Sequence, residues 1–267
     1  MASSLDSMGH FTKTVADSAL TLSITAGNDP HDATSFPDQP DDYMSFLNRE
    51  VKGLTLGLPQ EYFGEGIDPR ISSLVKDSAL VLEGRGANIV EVSLPNTSAA
   101  LAAYYIICPS ELSANLARFD GIRFGKKRDQ FGAEAKRRIM LGTYALSSGY
   151  YDAYYRQAQA VRSLIVADFD KAFSQVDALI APISPTLPFN LGEKANDPLA
   201  MYMADVLTCP VNLAGVPSLA IPCGFIDDLP VGLQIIGPSL SEGLLFQIGQ
   251  AYEIETNFYH QLPKVAR

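Results

Sequence analysis

The sequence contains few of the residues that bind metals or form disulfides. Its 267 residues include only three cysteines and three histidines, which are Cys108, Cys209, Cys223, His10, His31 and His260. An odd number of cysteines without a C-x-x-C pair cannot all be bridged within one chain, so we interpret them as reduced core residues of a cytoplasmic protein. The histidines are scattered along the chain, and this spacing predicts no metal site.

Long apolar runs and familiar catalytic motifs are also missing. No uninterrupted apolar stretch is long enough to cross a bilayer, and the first residues lack the basic and apolar regions of a secretion signal. We therefore expect no membrane partner. The motifs G-x-S-x-G and H-E-x-x-H do not occur, and neither does a phosphate-binding glycine loop. Composition and spacing alone predict a soluble α/β domain without an assigned chemistry.

Positive charge is scarce. The formal net charge is −10, so the overall field disfavours direct nucleic-acid binding by this chain. One local cluster of basic residues is the exception, and it comprises Arg118, Arg123, Lys126, Lys127, Arg128, Lys136, Arg137 and Arg138. Two interpretations of this cluster stay open: a contact with RNA, or a solvated helix face and loop.

Apolar periodicity predicts a strand-helix-strand unit in the first third of the chain. A first helix over 14–26 begins after threonines and ends at Gly27, and a loop rich in proline and aspartate follows over 28–42. The unit itself consists of a strand over 53–58, a helix that starts at Asp68 and Pro69, and a strand over 88–94. Parallel pairing through a crossover is typical of this pattern.

Further helices and strands alternate through the remaining sequence. Helices are predicted over 97–118, 133–146, 150–173 and 242–258, and buried strands over 178–181, 219–222 and 231–236. No linker separates two self-sufficient cores, so we expect one domain over residues 1–267. The predicted fold class is α/β, with a mixed, mostly parallel sheet covered by helices.

Four segments resemble the amidase-signature family. They are ASSLD at 2–6, RRIMLGTYALSSGYYDAYY at 137–155, DPLAMYMADVLTCPVNLAGVPSLAIPCGF at 197–225 and LPVGLQIIGP at 229–238. The resemblance covers nearly the whole chain and is strongest to the branch that supplies ammonia for transamidation of Glu-tRNA(Gln) and Asp-tRNA(Asn). It implies the C-terminal part of a single amidase-signature domain.

The resemblance implies that the chemistry resides elsewhere in the family fold. The family acts through two serines and a lysine that precede the point where this sequence begins, so no residue of this chain is assigned a catalytic role. Ser3 and Ser4 are interpreted as hydrogen-bonding loop residues. By itself the chain is expected to be inactive.

Three residues match family positions that contact free glutamine. The zwitterion requires a guanidinium for its carboxylate and a carboxylate for its ammonium group. By resemblance these are Arg138 and Asp205, with Tyr105, or alternatively Tyr104, lining the pocket. The competing interpretations are a helix-surface arginine for Arg138 and a helix cap or structural ion pair for Asp205. Residues 208–217 are interpreted as a turn that shapes the pocket wall.

The resemblance also implies a division of labour between different polypeptides. The B and C subunits of an amidotransferase would be the partners of this chain. A partner subunit that uses ATP and Mg²⁺ would bind most of the tRNA. No cofactor is expected in this chain. The alternatives are a stand-alone amide hydrolase of the same family and a non-catalytic binding or scaffold module.

Overall fold

The computed structural model describes residues 1–32, 35–37 and 39–262, and these fall into two compact units. The helical unit comprises residues 1–8, 95–169 and 208–215, and the sheet unit comprises residues 9–94, 170–207 and 216–267. Of the predicted irregular loop over 28–42, residues 33, 34 and 38 lie outside the described residues, and the others form neither helix nor strand. Membership of residues 1–267 in one domain stays a prediction.

The sheet unit contains a five-stranded sheet in the order β2-β1-β3-β5-β4. The strands are β1 (Thr55–Pro59), β2 (Asn88–Val92), β3 (Ala178–Pro182), β4 (Ser218–Ile226) and β5 (Leu229–Ile236). β1 runs parallel to β2 and β3, which confirms the predicted crossover unit, whereas β5 runs antiparallel to β3 and β4. The α/β class and the mixed sheet are confirmed, but parallel pairings number only two of the four.

Four helices accompany this sheet, and their ends follow local sequence signals. They are α1 (Val15–Thr25), α2 (Pro69–Gly84), α6 (Pro198–Met203) and α8 (Glu242–Thr256). Thr14 caps α1 by accepting the N–H of Asp17 at 3.0 Å, and Asp68 caps α2 by accepting the N–H of Arg70 at 2.9 Å. Both caps were predicted. α2 packs on β3 and β4, and α8 packs on β4 and α1.

The core of the sheet unit is apolar and contains a few buried polar groups, of which Ser78 and Tyr252 form one pair. β3 is buried along its whole length. Between α2, α8 and β4, the Tyr252 hydroxyl lies 2.9 Å from Ser78 Oγ, so each hydroxyl has a partner. Burial raises the pKa of the Cys223 thiol to about 12. The prediction that all three cysteines are buried and unbridged is confirmed.

The helical unit is built from α3 (Ala100–Asn115), α4 (Ala133–Ala145), α5 (Gln157–Phe173, whose residues up to Phe169 belong to this unit) and α7 (Cys209–Ala214). α3 packs extensively on α4. The predicted helix over 97–118 is shorter than expected, with 3₁₀ turns at both ends. The interpretation of residues 208–217 as a turn is wrong in part, because α7 occupies six of them and ends at Gly215 in the left-handed conformation.

None of the helices in the described residues combines the length and the apolar character that a bilayer crossing requires.

Candidate functional site

Arg138 lies on α4, where its guanidinium is held from two sides. Its Nε donates to Glu134 Oε1 at 2.8 Å, one helical turn earlier, and its side chain is only 20% exposed. On the other side its Cζ stands 5.3 Å from the centre of the Tyr105 ring, a cation–π distance. Arg138 is therefore less exposed than its neighbour Arg137, and its contact with substrate stays a prediction.

Tyr104 and Tyr105 lie side by side on α3, so the structure brings both candidate tyrosines to Arg138. Their ring centres are 5.2 Å apart at an interplanar angle of 77°, an edge-to-face pair. Cys108, one turn further along α3, places its Sγ 3.9 Å from Arg138 Nη1. The Arg138 cluster is defined here as Tyr104, Tyr105, Cys108, Glu134 and Arg138.

The electrostatics of this cluster keep Arg138 charged and Tyr104 protonated. Burial acts to lower the pKa of Arg138, but the hydrogen bond to Glu134 and the neighbouring Tyr105 outweigh it and raise the pKa. Burial raises the pKa of Tyr104, and Cys108 adds to this effect while Arg138 opposes it. The result is a fixed positive charge beside the protonated phenol of Tyr104, a setting that suits a carboxylate ligand.

Asp205 belongs to the sheet unit, in the turn that follows α6. Its N–H donates to the Tyr202 carbonyl at 3.0 Å, and the residue is exposed. We expected a carboxylate in this apolar stretch to have a partner because of its desolvation cost, and this expectation stays a prediction. Asp197 is the N-cap of α6 and Thr208 is the N-cap of α7, so Asp205 occupies neither of these positions.

Ser4 is held in a hydrogen-bond network within the helical unit. Its Oγ donates to Glu111 Oε1 at 2.5 Å and accepts from Arg162 Nη1 at 2.7 Å, while its carbonyl accepts from Arg162 Nη2 at 2.9 Å. Arg162 Nε also donates to the Leu213 carbonyl at 2.9 Å. Arg162 therefore ties the first residues to α7, and the interpretation of Ser4 as a hydrogen-bonding loop residue is confirmed.

The sequence reasoning missed Glu134 and Cys108. Glu134 precedes Arg138 by four residues, and this spacing of opposite charges on a helix could have indicated the pair. Cys108 had been assigned only to the core. Its closeness to Arg138 depends on how α3 packs against α4, which no local pattern encodes.

A groove of ≈ 200 Å³ lies in the sheet unit. It is lined by Ile71, by most of the residues over 183–189 and by residues 230–232, none of which has an ionisable side chain. Within the described residues, no group of three or more His, Cys, Asp or Glu side chains is arranged to hold a metal ion. Among the described residues, the Arg138 cluster is therefore our candidate for a site that binds a charged ligand.

Comparison with known proteins gives a consistent result. The Amidase family description matches residues 1–246. The chain is 52% identical to the A subunit of glutamyl-tRNA(Gln) amidotransferase from Chloroflexus aggregans, over 99% of this chain and 57% of that protein. The corresponding protein of Persephonella marina is 50% identical, over 99% of this chain and 58% of its own length.

A solved structure shares the fold as well. The crystal structure of the glutamyl-tRNA(Gln) amidotransferase A subunit from Thermotoga maritima superposes with a TM-score of 0.79 at 38% identity, over 94% of this chain and 53% of that one. This chain thus spans a little more than half the length of its relatives and corresponds to their C-terminal part. The match to the family description and the identity to these relatives show that the chain belongs to the amidase-signature family.

Proposed function

We propose that this chain is the C-terminal part of the glutamine-hydrolysing A subunit of a tRNA-dependent amidotransferase. The observation that carries the proposal is the half-buried Arg138, paired to Glu134 and placed over Tyr105, inside a segment that matches relatives of that name at about half identity. A hydrolase of neutral amides does not require a charged guanidinium in its substrate pocket. Free glutamine carries the carboxylate that such a group recognises.

In this proposal Arg138 binds the glutamine α-carboxylate. A guanidinium offers several donors in one plane, and carboxylates accept them in pairs. The Tyr105 ring limits where the carboxylate can stand, while Glu134 fixes the guanidinium and so lowers the entropy lost on binding. For Asp205 as the acceptor of the α-ammonium group, the support is the motif match, together with the exposure of this residue.

The remaining steps belong to other parts of the assembly. Attack on the glutamine amide requires the two serines and the lysine of the family, which residues 1–267 do not supply. We propose that the released ammonia passes to the B and C subunits of the amidotransferase in the cytoplasm, where ATP and Mg²⁺ activate the tRNA-bound glutamate. No bound group is required in this chain for its part in the process.

The test is a complementation experiment. The chain is assayed for ammonia release from glutamine alone, and again after fusion to the N-terminal residues of the Chloroflexus aggregans relative. We expect no release above background from the chain alone and clear glutaminase activity from the fusion.

The choice of substrate separates the proposal from its alternatives. The fusion should prefer glutamine over butyramide, an amide that lacks the α-carboxylate and α-ammonium groups. Equal use of both amides would favour a stand-alone hydrolase. A correctly folded fusion without activity on either would favour a scaffold role, and ammonia release by the chain alone would overturn the assignment of the chemistry to the other half.

A further inference from the structure

The two units carry net charges of opposite sign. The helical unit contains ten Lys and Arg residues against seven Asp and Glu, a net charge of +3, whereas the sheet unit contains ten against 23, a net charge of −13. The total of −10 therefore conceals a basic region. Negative charge therefore disfavours nucleic acid at the sheet unit but not at the helical unit.

Half of the ten cations of the helical unit lie in the connection between α3 and α4. Residues 116–132, called here the basic loop, contain Arg118, Arg123, Lys126, Lys127 and Arg128. All five side chains are exposed. Within the part of the chain that the structure describes, none of the five forms an ion pair with a carboxylate. Their charge is thus available to a ligand.

The shape of the basic loop is fixed by its own residues. Asp120 Oδ1 accepts the N–H groups of Ile122 at 2.7 Å and Arg123 at 3.0 Å, so one of the two acidic groups in the loop is used internally. Gly121 has φ +73°, and a Cβ there would stand 2.7 Å from Lys127 N. A compact turn of this kind holds the cations in place before a ligand arrives, which reduces the entropy lost on binding.

Apolar side chains alternate with these cations at the surface. Ile122 is 86% and Phe124 is 65% exposed, and Phe124 directly follows Arg123. Exposed aromatic rings between lysines and arginines suit RNA, because the cations meet phosphates and the ring stacks on a base. An acidic polypeptide or an anionic membrane would also use the cations, but the proposed function supplies an RNA and neither of these.

We propose that the basic loop is an RNA-binding surface, with its lysines and arginines on the phosphodiester backbone and Phe124 stacked on an unpaired base. The inference rests on the proposed function, in which the amide acceptor is attached to tRNA. It adds a direct contact between this chain and the nucleic acid, beyond the binding assigned to the partners.

The test measures binding of fluorescein-labelled tRNA to the full 267-residue chain by anisotropy over a range of salt concentrations. The variant K126A/K127A/R128A should lower the slope of log K against log salt by about 2 to 3, since each phosphate contact contributes about 0.7 to 0.9. The matched control K52A/K76A/K171A removes the same charge from exposed positions of the sheet unit and should leave the slope unchanged.

A second pair of variants tests stacking. Phe124→Ala should weaken binding about fivefold or more, whereas Phe124→Tyr should bind like the parent. Equal losses in the two triple variants, tRNA affinity of the parent no greater than that for polyglutamate, or preferential binding to vesicles of anionic lipid would each overturn the proposal. Because the assay does not measure glutaminase activity, failure here leaves the proposed function standing.

Discussion

Gly142 of α4 lies directly against the carbonyl of Pro109 in α3, so closely that a Cβ at this position would overlap the carbonyl oxygen and carbon. The two helices that carry Arg138, Tyr104 and Tyr105 therefore meet at a point where only glycine fits. Their spacing sets the distance between the guanidinium and the phenol rings.

Gly142→Ala should destabilise the chain by about 1–3 kcal/mol, because either the helices separate or the backbone shifts. The measurement is chemical denaturation monitored by circular dichroism. Gly84→Ala is the matched control, since a Cβ at the end of α2 meets nothing within 4 Å and alanine favours helix. Equal stability of the two variants would show that the α3–α4 contact tolerates a methyl group.

Arg138→Ala in the fusion that carries the family's catalytic residues should reduce kcat/KM for glutamine about ten- to a hundredfold. A lost charge-assisted contact of about 1.5–3 kcal/mol gives this range. Arg137→Ala is the control, because Arg137 pairs with the same Glu134 but points to solvent. Arg138→Lys should restore only part of the activity. Similar effects of the Arg137 and Arg138 substitutions would reduce the role of Arg138 to helix stabilisation.

Glu253 of α8 gives the sheet unit a pH-dependent stability. Its carboxylate is buried and accepts the N–H of Val15 at 3.0 Å. Burial raises its pKa, the Val15 hydrogen bond opposes this, and Asp17 adds to it. Because the folded protein holds the proton more tightly than the unfolded chain, wild-type stability should fall as pH rises above about 4.3 and through the folded pKa.

Glu253→Gln removes the titration while retaining an oxygen for Val15. The Tm of this variant should match that of the wild type near pH 4 and exceed it increasingly toward pH 7. A difference in Tm that is constant over this interval would show that Glu253 does not titrate there.

Cys223 should resist modification in the native chain. Burial raises the pKa of its thiol to about 12, so very little thiolate exists at pH 8. Alkylation by iodoacetamide, located by peptide mass spectrometry, should be slow without denaturant and fast in guanidinium chloride. Complete native labelling within minutes would indicate that the region around Ser78 and Tyr252 opens readily.

Local signals in the sequence predicted most elements and both helix caps, but not the direction of β5. β4 and β5 form a hairpin joined by Asp227 and Asp228, which both adopt positive φ (53° and 64°). Two residues with positive φ are typical of a type I′ turn, yet the usual signal is Asn-Gly or Asp-Gly. Pro222 and Pro230 lie inside the strands and weakened the sequence signal for a hairpin, since proline commonly interrupts the hydrogen bonds between strands.

The site was predictable only in part. The resemblance placed Arg138 beside a tyrosine of α3, and the structure brings both Tyr104 and Tyr105 to it. The Cys108 contact could not be inferred, because it depends on the close approach at Gly142. The exposure of Asp205 was not evident either, since apolar neighbours along a chain do not determine which side of a turn faces solvent.

The interleaving of the two units along the chain has a consequence for biosynthesis. The helical unit needs residues 1–8 and 208–215, so no folding order on the ribosome can complete it until four-fifths of the sequence has emerged. The sheet unit cannot be completed until β4 and β5 have also emerged. Contacts between the early and the late segments must therefore wait until the late segments emerge, and apolar surfaces stay open to aggregation during this period.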